Sequence, residues 1–265
     1  MTLTNNNEGS AGSPRIRKLN AVATCALMAC GVLSGFGSSN AAAEPQKQVH
    51  VLELFTSQGC SSCPPADALL KDLAKRDDVI ALSFPVSYWD YLGWKDTLAK
   101  EEYNKRQKIY AKKRGDREIY TPQLIVNGMT HVVGSRPEAI EAAMKLTTEK
   151  LKNTHVRVTV EVADGKATVT AGAAPEGSAR RKGLLSLICF SKSVEVEIGR
   201  GENNGHEVTY TNVAREVIPA GEWNGKFIQY TVDLPDDESF DGIAALLQEN
   251  ESAAMLGATS TAASH

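Results

Sequence analysis

VHVLELFTSQGCSSCPPADALL, residues 49–70, is the stretch on which the architecture of this chain turns. Its first seven residues are β-branched and aliphatic with a single acid, Glu53, the composition of a strand covered on both faces. From Ala66 the apolar residues Leu69, Leu70, Leu73 and Ala74 recur at helical spacing. Pro64 and Pro65 suit the first turn of that helix, whose amide hydrogens have no partner. Between strand and helix stands Cys60-Ser61-Ser62-Cys63, two thiols at a strand-to-helix junction.

Outward from there, VIALSFPV (79–86) reads as a second buried strand, SYWDYLGWKD (87–96) as an aromatic loop and 97–114 as a charged surface helix. IYTPQLIVNG (119–128) is a strand ending in the turn Asn127-Gly128, and THVVG (130–134) is its return. Ile140, Ala143, Met144, Thr147 and Leu151 mark a further helix. The order β-α-β-α-β-β-α, with CxxC after the first strand, predicts an α/β fold: a thioredoxin-like domain over residues 44–153. Past that point the texture changes. VRVTVEVA (156–163) and KATVTAGA (166–173) flank an Asp164-Gly165 turn, and LLSLICF (184–190), VEVEI (194–198), HEVTYTNV (206–213) and KFIQYTVDL (226–234) follow. These predict a small antiparallel β-sandwich-like domain over residues 154–250. GIAALLQE (242–249) fits either a last strand or a helix turn, and 251–265 reads as a flexible tail.

The 265 residues are 42% hydrophobic and 23% charged, as in a globular chain long enough to build a core without disulfide staples. With 29 basic and 32 acidic residues the net charge is −3, which argues against nucleic acid as a partner. Residues 1–43 read as an export signal. Arg15, Arg17 and Lys18 precede the uncharged run 21–36, and Ala41 and Ala43 form an A-x-A cleavage site before Glu44. That run is shorter than the roughly 18 residues of a transmembrane helix, so no stable membrane span is expected after signal removal. A membrane anchor, a disordered tail, or a lipid on Cys30 of Leu27-Met28-Ala29-Cys30 are the competing readings. The expected location is periplasmic or secreted, where a close Cys pair is a disulfide or a redox centre.

Thiol–disulfide exchange needs an activated thiolate backed by a second sulfur that closes the ring. Cys60 at a helix N-terminus is the expected attacking thiolate and Cys63 the resolving thiol. Thr121-Pro122, at the start of the strand expected to face the pair, predicts a cis bond that leaves the Thr121 backbone free to pair with a substrate strand. Glu53, seven residues before Cys60, is expected either beneath the pair, accepting a proton from Cys63, or at a solvated edge. Tyr88, Trp89 and Trp94 wall a substrate groove or cap the core. Cys189 reads as an inert core thiol. A metal site joining the cysteines to His50, His131 or His155 lacks the usual ligand spacing, so no metal is expected. No cofactor is called for either, since the two sulfurs carry the electrons.

The segments VLELFTSQGCSSCPPADALL, SYWDYLGWKD, IYTPQLIVNG and IGRGENNGHEVTYTNVAREV resemble a family of secreted bacterial proteins catalogued as a domain of unknown function. The resemblance spans about residues 49–250 and implies export, a thioredoxin-like fold with a C-terminal β-rich extension, and a CxxC at Cys60 and Cys63. More distantly, the first 110 residues after the expected leader are similar to thioredoxins and periplasmic disulfide oxidoreductases, from which the Ser-Ser interior, the spacing of Glu53 from Cys60 and the larger insertion at 87–118 depart. The expected function is exchange with protein or small-molecule disulfides and thiols. The alternative is a non-catalytic secreted binding protein with a structural Cys60–Cys63 disulfide, gripping its partner through RGENNG (200–205) and Trp223.

Overall fold

The computed structural model describes residues 48–178, 181–236 and 240–263. The expected leader, with its cleavage site and Cys30, lies outside them. In chain order the elements are β1 (His50–Thr56), α1 (Pro64–Leu73), β2 (Val79–Pro85), α2 (Glu101–Arg114), β3 (Gln123–Val126), β4 (Thr130–Val133) and α3 (Pro137–Leu151). There follow β5 (Val158–Ala163), β6 (Lys166–Ala171), β7 (Gly183–Glu197), β8 (Glu207–Trp223), β9 (Ile228–Asp233), β10 (Gly242–Glu249) and β11 (Met255–Ala262).

Alternation along β1 divides the core. Leu52 and Leu54 pack on one face with Leu70 and Leu73 of α1 and Ile140 and Met144 of α3. Val51 and Phe55 point the other way, to Tyr103 and Tyr110 of α2. Helices on both faces explain why β1 and β2 read as near-continuous apolar runs. β2 lies parallel to β1, while β3 and β4 continue antiparallel on its other edge.

The expected fold class, a thioredoxin-like α/β domain followed by a separate small β-sandwich, is overturned. The protein is mostly β: one mixed sheet of eight strands in the order β11-β10-β7-β8-β2-β1-β3-β4, and a second of three, β5-β6-β9. The join is physical and narrow. β8 runs parallel to β2 through the pair Ser83 and Val213, where the Ser83 hydroxyl donates to the Thr211 carbonyl (2.9 Å) and the Asn212 side chain donates from Nδ2 to the Ala81 carbonyl (2.8 Å). A single apolar cluster then runs from Val51, Phe55 and Phe84 through Ile188, Phe190 and Ala214 to Leu246 and Met255.

The three-stranded sheet covers the far half of the large sheet, with Val158 and Val169 against Leu185, Leu187, Trp223 and Leu247. Two further expectations are settled here. Residues 242–249 form a strand, and most of the expected flexible tail is β11, antiparallel to β10. Its entry is held by the Met255 amide donating to the Asn127 carbonyl (2.9 Å). The alternation of small residues that read as a polar tail suits a strand packed closely on a neighbouring sheet. None of the described helices is long and apolar enough to cross a membrane.

Candidate functional site

The chain leaves β1 at Thr56, turns through residues 57–59 and enters α1 at Pro64, with Cys63 as its N-cap. Cys60 and Cys63 are joined by a disulfide with a Cα–Cα distance of 5.4 Å. The Cys60 amide donates to the Ser57 carbonyl, and the Ala66 and Asp67 amides both reach the Cys63 carbonyl. The helix dipole at this end favours a thiolate, while Pro64 and Pro65 carry no amide hydrogen and those of Ala66 and Asp67 are already taken. Yet both half-cystines are buried, Cys60 2% and Cys63 0% exposed, while Ser61 and Ser62 face solvent.

The cover comes from two loops. Gly59 passes so close under Trp89 that a Cβ on it would stand 3.0 Å from the Trp89 Cβ, which accounts for glycine there. The Trp89 indole donates to Thr121 Oγ1 (2.8 Å), and the Thr121-Pro122 bond is cis. Beside Thr121 and Gln107 lies the Tyr88 hydroxyl, whose burial pushes its pKa up to about 12. Trp94 donates to Gln58 Oε1 (2.7 Å), and the Gln58 side chain also holds Thr97. The second loop belongs to the β7–β8 connection. Asn203, itself buried, donates from Nδ2 to the carbonyls of both Gln58 and Cys60 (2.9 Å each), while Gly199 and Gly201 rest on Trp94. Thus Cys60, Cys63, Thr121, Pro122, Trp89 and Trp94 are linked around one turn.

Glu53 is not among them. It is 1% exposed but lies on the α2 face of β1, with Oε1 accepting from Arg106 Nη2 (2.5 Å) and Oε2 from Nε (3.3 Å). The Arg106 guanidinium stands 5.3 Å from the centroids of the Phe84 and Tyr110 rings and donates to the Tyr110 hydroxyl (3.0 Å). Neither a place beneath the cysteines nor a solvated edge describes it: Glu53 is one half of a buried ion pair. Arg106 and Tyr110 also line a cleft of about 360 Å³ with Ile109, Leu184 and Val217, walled by α2 and the far half of the sheet.

Two acids that the sequence reading did not single out do lie by the disulfide turn. Asp96 accepts from the backbone amides of Gln58 (2.8 Å), Leu98 (2.9 Å) and Ala99 (3.1 Å). Burial still raises its pKa. Asp67, in the first turn of α1, is 2% exposed, and neither carboxylate oxygen has a hydrogen-bond partner of good geometry among the described residues. Burial raises its pKa to about 8; the Thr56 hydroxyl opposes the rise and the Asp96 charge adds to it. Asp67 interrupts the apolar stripe at Ala66, Leu70 and Leu73, which was the available signal, but an acid in a first turn also reads as a favourable exposed charge.

Cys189 is buried between the two sheets, away from the disulfide. Among the described residues no group of three or more His, Cys, Asp or Glu side chains is placed to hold a metal. His131 instead faces Tyr120, Asp116 and Glu118, and His50 faces Asn127. Trp223 of the alternative reading is buried, donating to the Gly172 carbonyl (2.9 Å), so it offers no contact surface.

The profile of a family described as a protein of unknown function (DUF1223) matches residues 51–248. Among solved structures, a protein of Agrobacterium tumefaciens is 32% identical with a TM-score of 0.70, over 82% of this chain and 95% of that one. HBP35 of Porphyromonas gingivalis, 14% identical, matches with a TM-score of 0.56 over 82% of this chain and 76% of that one, a likeness of fold alone. No curated protein matches.

Proposed function

The chain belongs to the DUF1223 family of unknown function, and we propose that it is an exported thiol–disulfide oxidoreductase working through Cys60 and Cys63. The observation that carries this reading is the Cys60–Cys63 disulfide at the head of α1, beside the Thr121-Pro122 strand start. A helix N-terminus supplies the electrostatics that make a cysteine a good nucleophile and a good leaving group. In the reading, residues 1–43 are the leader that takes the protein to the periplasm or the medium. Residues 44–153 carry the reactive pair, and 154–250 supply the Asn203 loop that lies over it. Substrates are protein or small-molecule disulfides and thiols, approaching past Trp89, Tyr88 and Trp94 and pairing with the Thr121 backbone. Nucleic acid has no part in it.

Reaction requires the Asn203 loop to part, because Cys60 is closed to solvent. That same burial favours a second reading, in which the disulfide is a structural staple. A Cys63→Ser variant separates the two. As an enzyme it accumulates mixed disulfides on Cys60, seen by alkylation and non-reducing electrophoresis, and the wild-type disulfide opens under mild dithiol in the folded state. A disulfide that opens only on unfolding, with nothing trapped by the variant, leaves the staple.

A further inference from the structure

Asp67 is a buried acid whose two carboxylate oxygens have no hydrogen-bond partner of good geometry among the described residues. Cys63 has helical backbone angles (φ −81°, ψ −37°), so Asp67, four residues on, lies on the same face of α1, and the Asp67 amide already reaches the Cys63 carbonyl (3.1 Å). Helical side chains lean toward the N-terminus, the end of α1 at which Cys63 stands. The groups acting on it come from three directions: the Thr56 hydroxyl at the end of β1, the Asp96 carboxylate from the loop before α2, and the Tyr210 hydroxyl of β8. All three are hydroxyls or acids. With no cation among them, burial keeps the proton on Asp67 at neutral pH.

We propose that Asp67 is the proton donor and acceptor for the Cys63 sulfur during thiol–disulfide exchange. The inference rests on the reading of Cys60–Cys63 as a redox pair. A thiolate of an incoming dithiol attacks the Cys60 sulfur, and the Cys60–Cys63 bond breaks with its electron pair going to the Cys63 sulfur. The Asp67 proton passes to that sulfur, giving a Cys63 thiol and an Asp67 carboxylate. The second thiolate of the dithiol then attacks the mixed disulfide, releasing Cys60 as a thiolate and the dithiol as its disulfide. Two electrons have moved from dithiol to protein. In the reverse direction the Asp67 carboxylate takes the Cys63 proton as that sulfur attacks a mixed disulfide on Cys60. An acid that titrates close to an ordinary thiol is well matched to both directions.

The test is the rate of disulfide opening by dithiothreitol from pH 6 to 10, corrected for the thiolate fraction of the reagent and followed by alkylation. In the wild type the corrected rate is flat at low pH and falls through an inflection near pH 8 as Asp67 loses its proton. Asp67→Asn removes the inflection and slows opening at pH 7 by about tenfold or more. Thr56→Val, which takes away the group favouring the carboxylate, keeps the inflection and moves it to higher pH. An Asp67→Asn profile that retains the inflection and stays within twofold of wild type overturns this proposal alone. Should Asp67→Asn fail to fold, an unshifted inflection in Thr56→Val overturns it. A wild-type disulfide that dithiothreitol does not open overturns the redox reading together with it.

Discussion

The two faces of β1 each bury an acid, and they solve the problem in opposite ways. On the α2 face Glu53 is held by both nitrogens of an Arg106 fork, under the rings of Phe84 and Tyr110. On the α1 face Asp67 has no cation beside it among the described residues, and burial raises its pKa to about 8. The first solution holds the acid in an ion pair. The second leaves a proton beside a disulfide at the same end of the same helix. A buried carboxyl therefore says little about chemistry until its partners are known. Of these two, only Asp67 stands outside an ion pair among the described residues.

The largest effect expected from breaking that contrast is at Arg106. Arg106→Ala strands the Glu53 charge in the core and is expected to lose about 3–5 kcal/mol in urea denaturation. The double variant Arg106→Met with Glu53→Leu is expected to recover most of it. If Arg106→Ala alone costs less than about 1 kcal/mol, the pair is not what makes Glu53 tolerable.

Asp67 should behave in the opposite sense. Its folded pKa, about 8, lies above the ordinary carboxylate value, so the folded state holds a proton that the unfolded chain releases. The stability tied to that proton is complete below about pH 4 and lost as pH rises through about 8. Asp67→Asn is thus expected to match wild type near pH 4 and to exceed it by a margin that widens by about 1.4 kcal/mol per pH unit up to about pH 8. Equal pH–stability curves for the two proteins would place the Asp67 carboxylate in a solvated or paired setting.

A smaller effect is expected where the far half of the large sheet reaches the disulfide. Asn203→Ala removes two hydrogen bonds, to the Gln58 and Cys60 carbonyls, and should lower stability by about 1–2 kcal/mol. It should also speed opening of the disulfide by dithiol several-fold, because the loop is released. Destabilisation with no change in opening rate would make Asn203 a brace rather than a cover.

How far these features could be read in advance follows from sequence separation. The β1–CxxC–α1 junction, the cis Thr121-Pro122 bond and the Asn127-Gly128 and Asp164-Gly165 turns, all at positive φ, are local and were legible. The join of β8 to β2 was not, because one pair of residues 130 apart, Ser83 and Val213, carries the strand pairing. Glu53 could be seen as an acid in an apolar strand, but its partner Arg106 sat in a helix whose many charges read as a solvated face. Asn203 lies in a Gly- and Asn-rich turn 143 positions from Cys60, and only the fold makes it a neighbour. Short small-residue strands such as β11 carry little periodicity, so their pairing decides them.

The central claim is that Cys60 and Cys63 exchange electrons within the folded protein. Its most direct measurement is redox equilibration of the wild type in defined dithiothreitol and glutathione buffers, with the thiol content counted by alkylation while native structure is followed by circular dichroism. One reversible two-electron transition is expected at a potential above about −300 mV, the range left by structural disulfides, with the fold retained in both forms. A pair that stays oxidised in every buffer until the protein unfolds would contradict it.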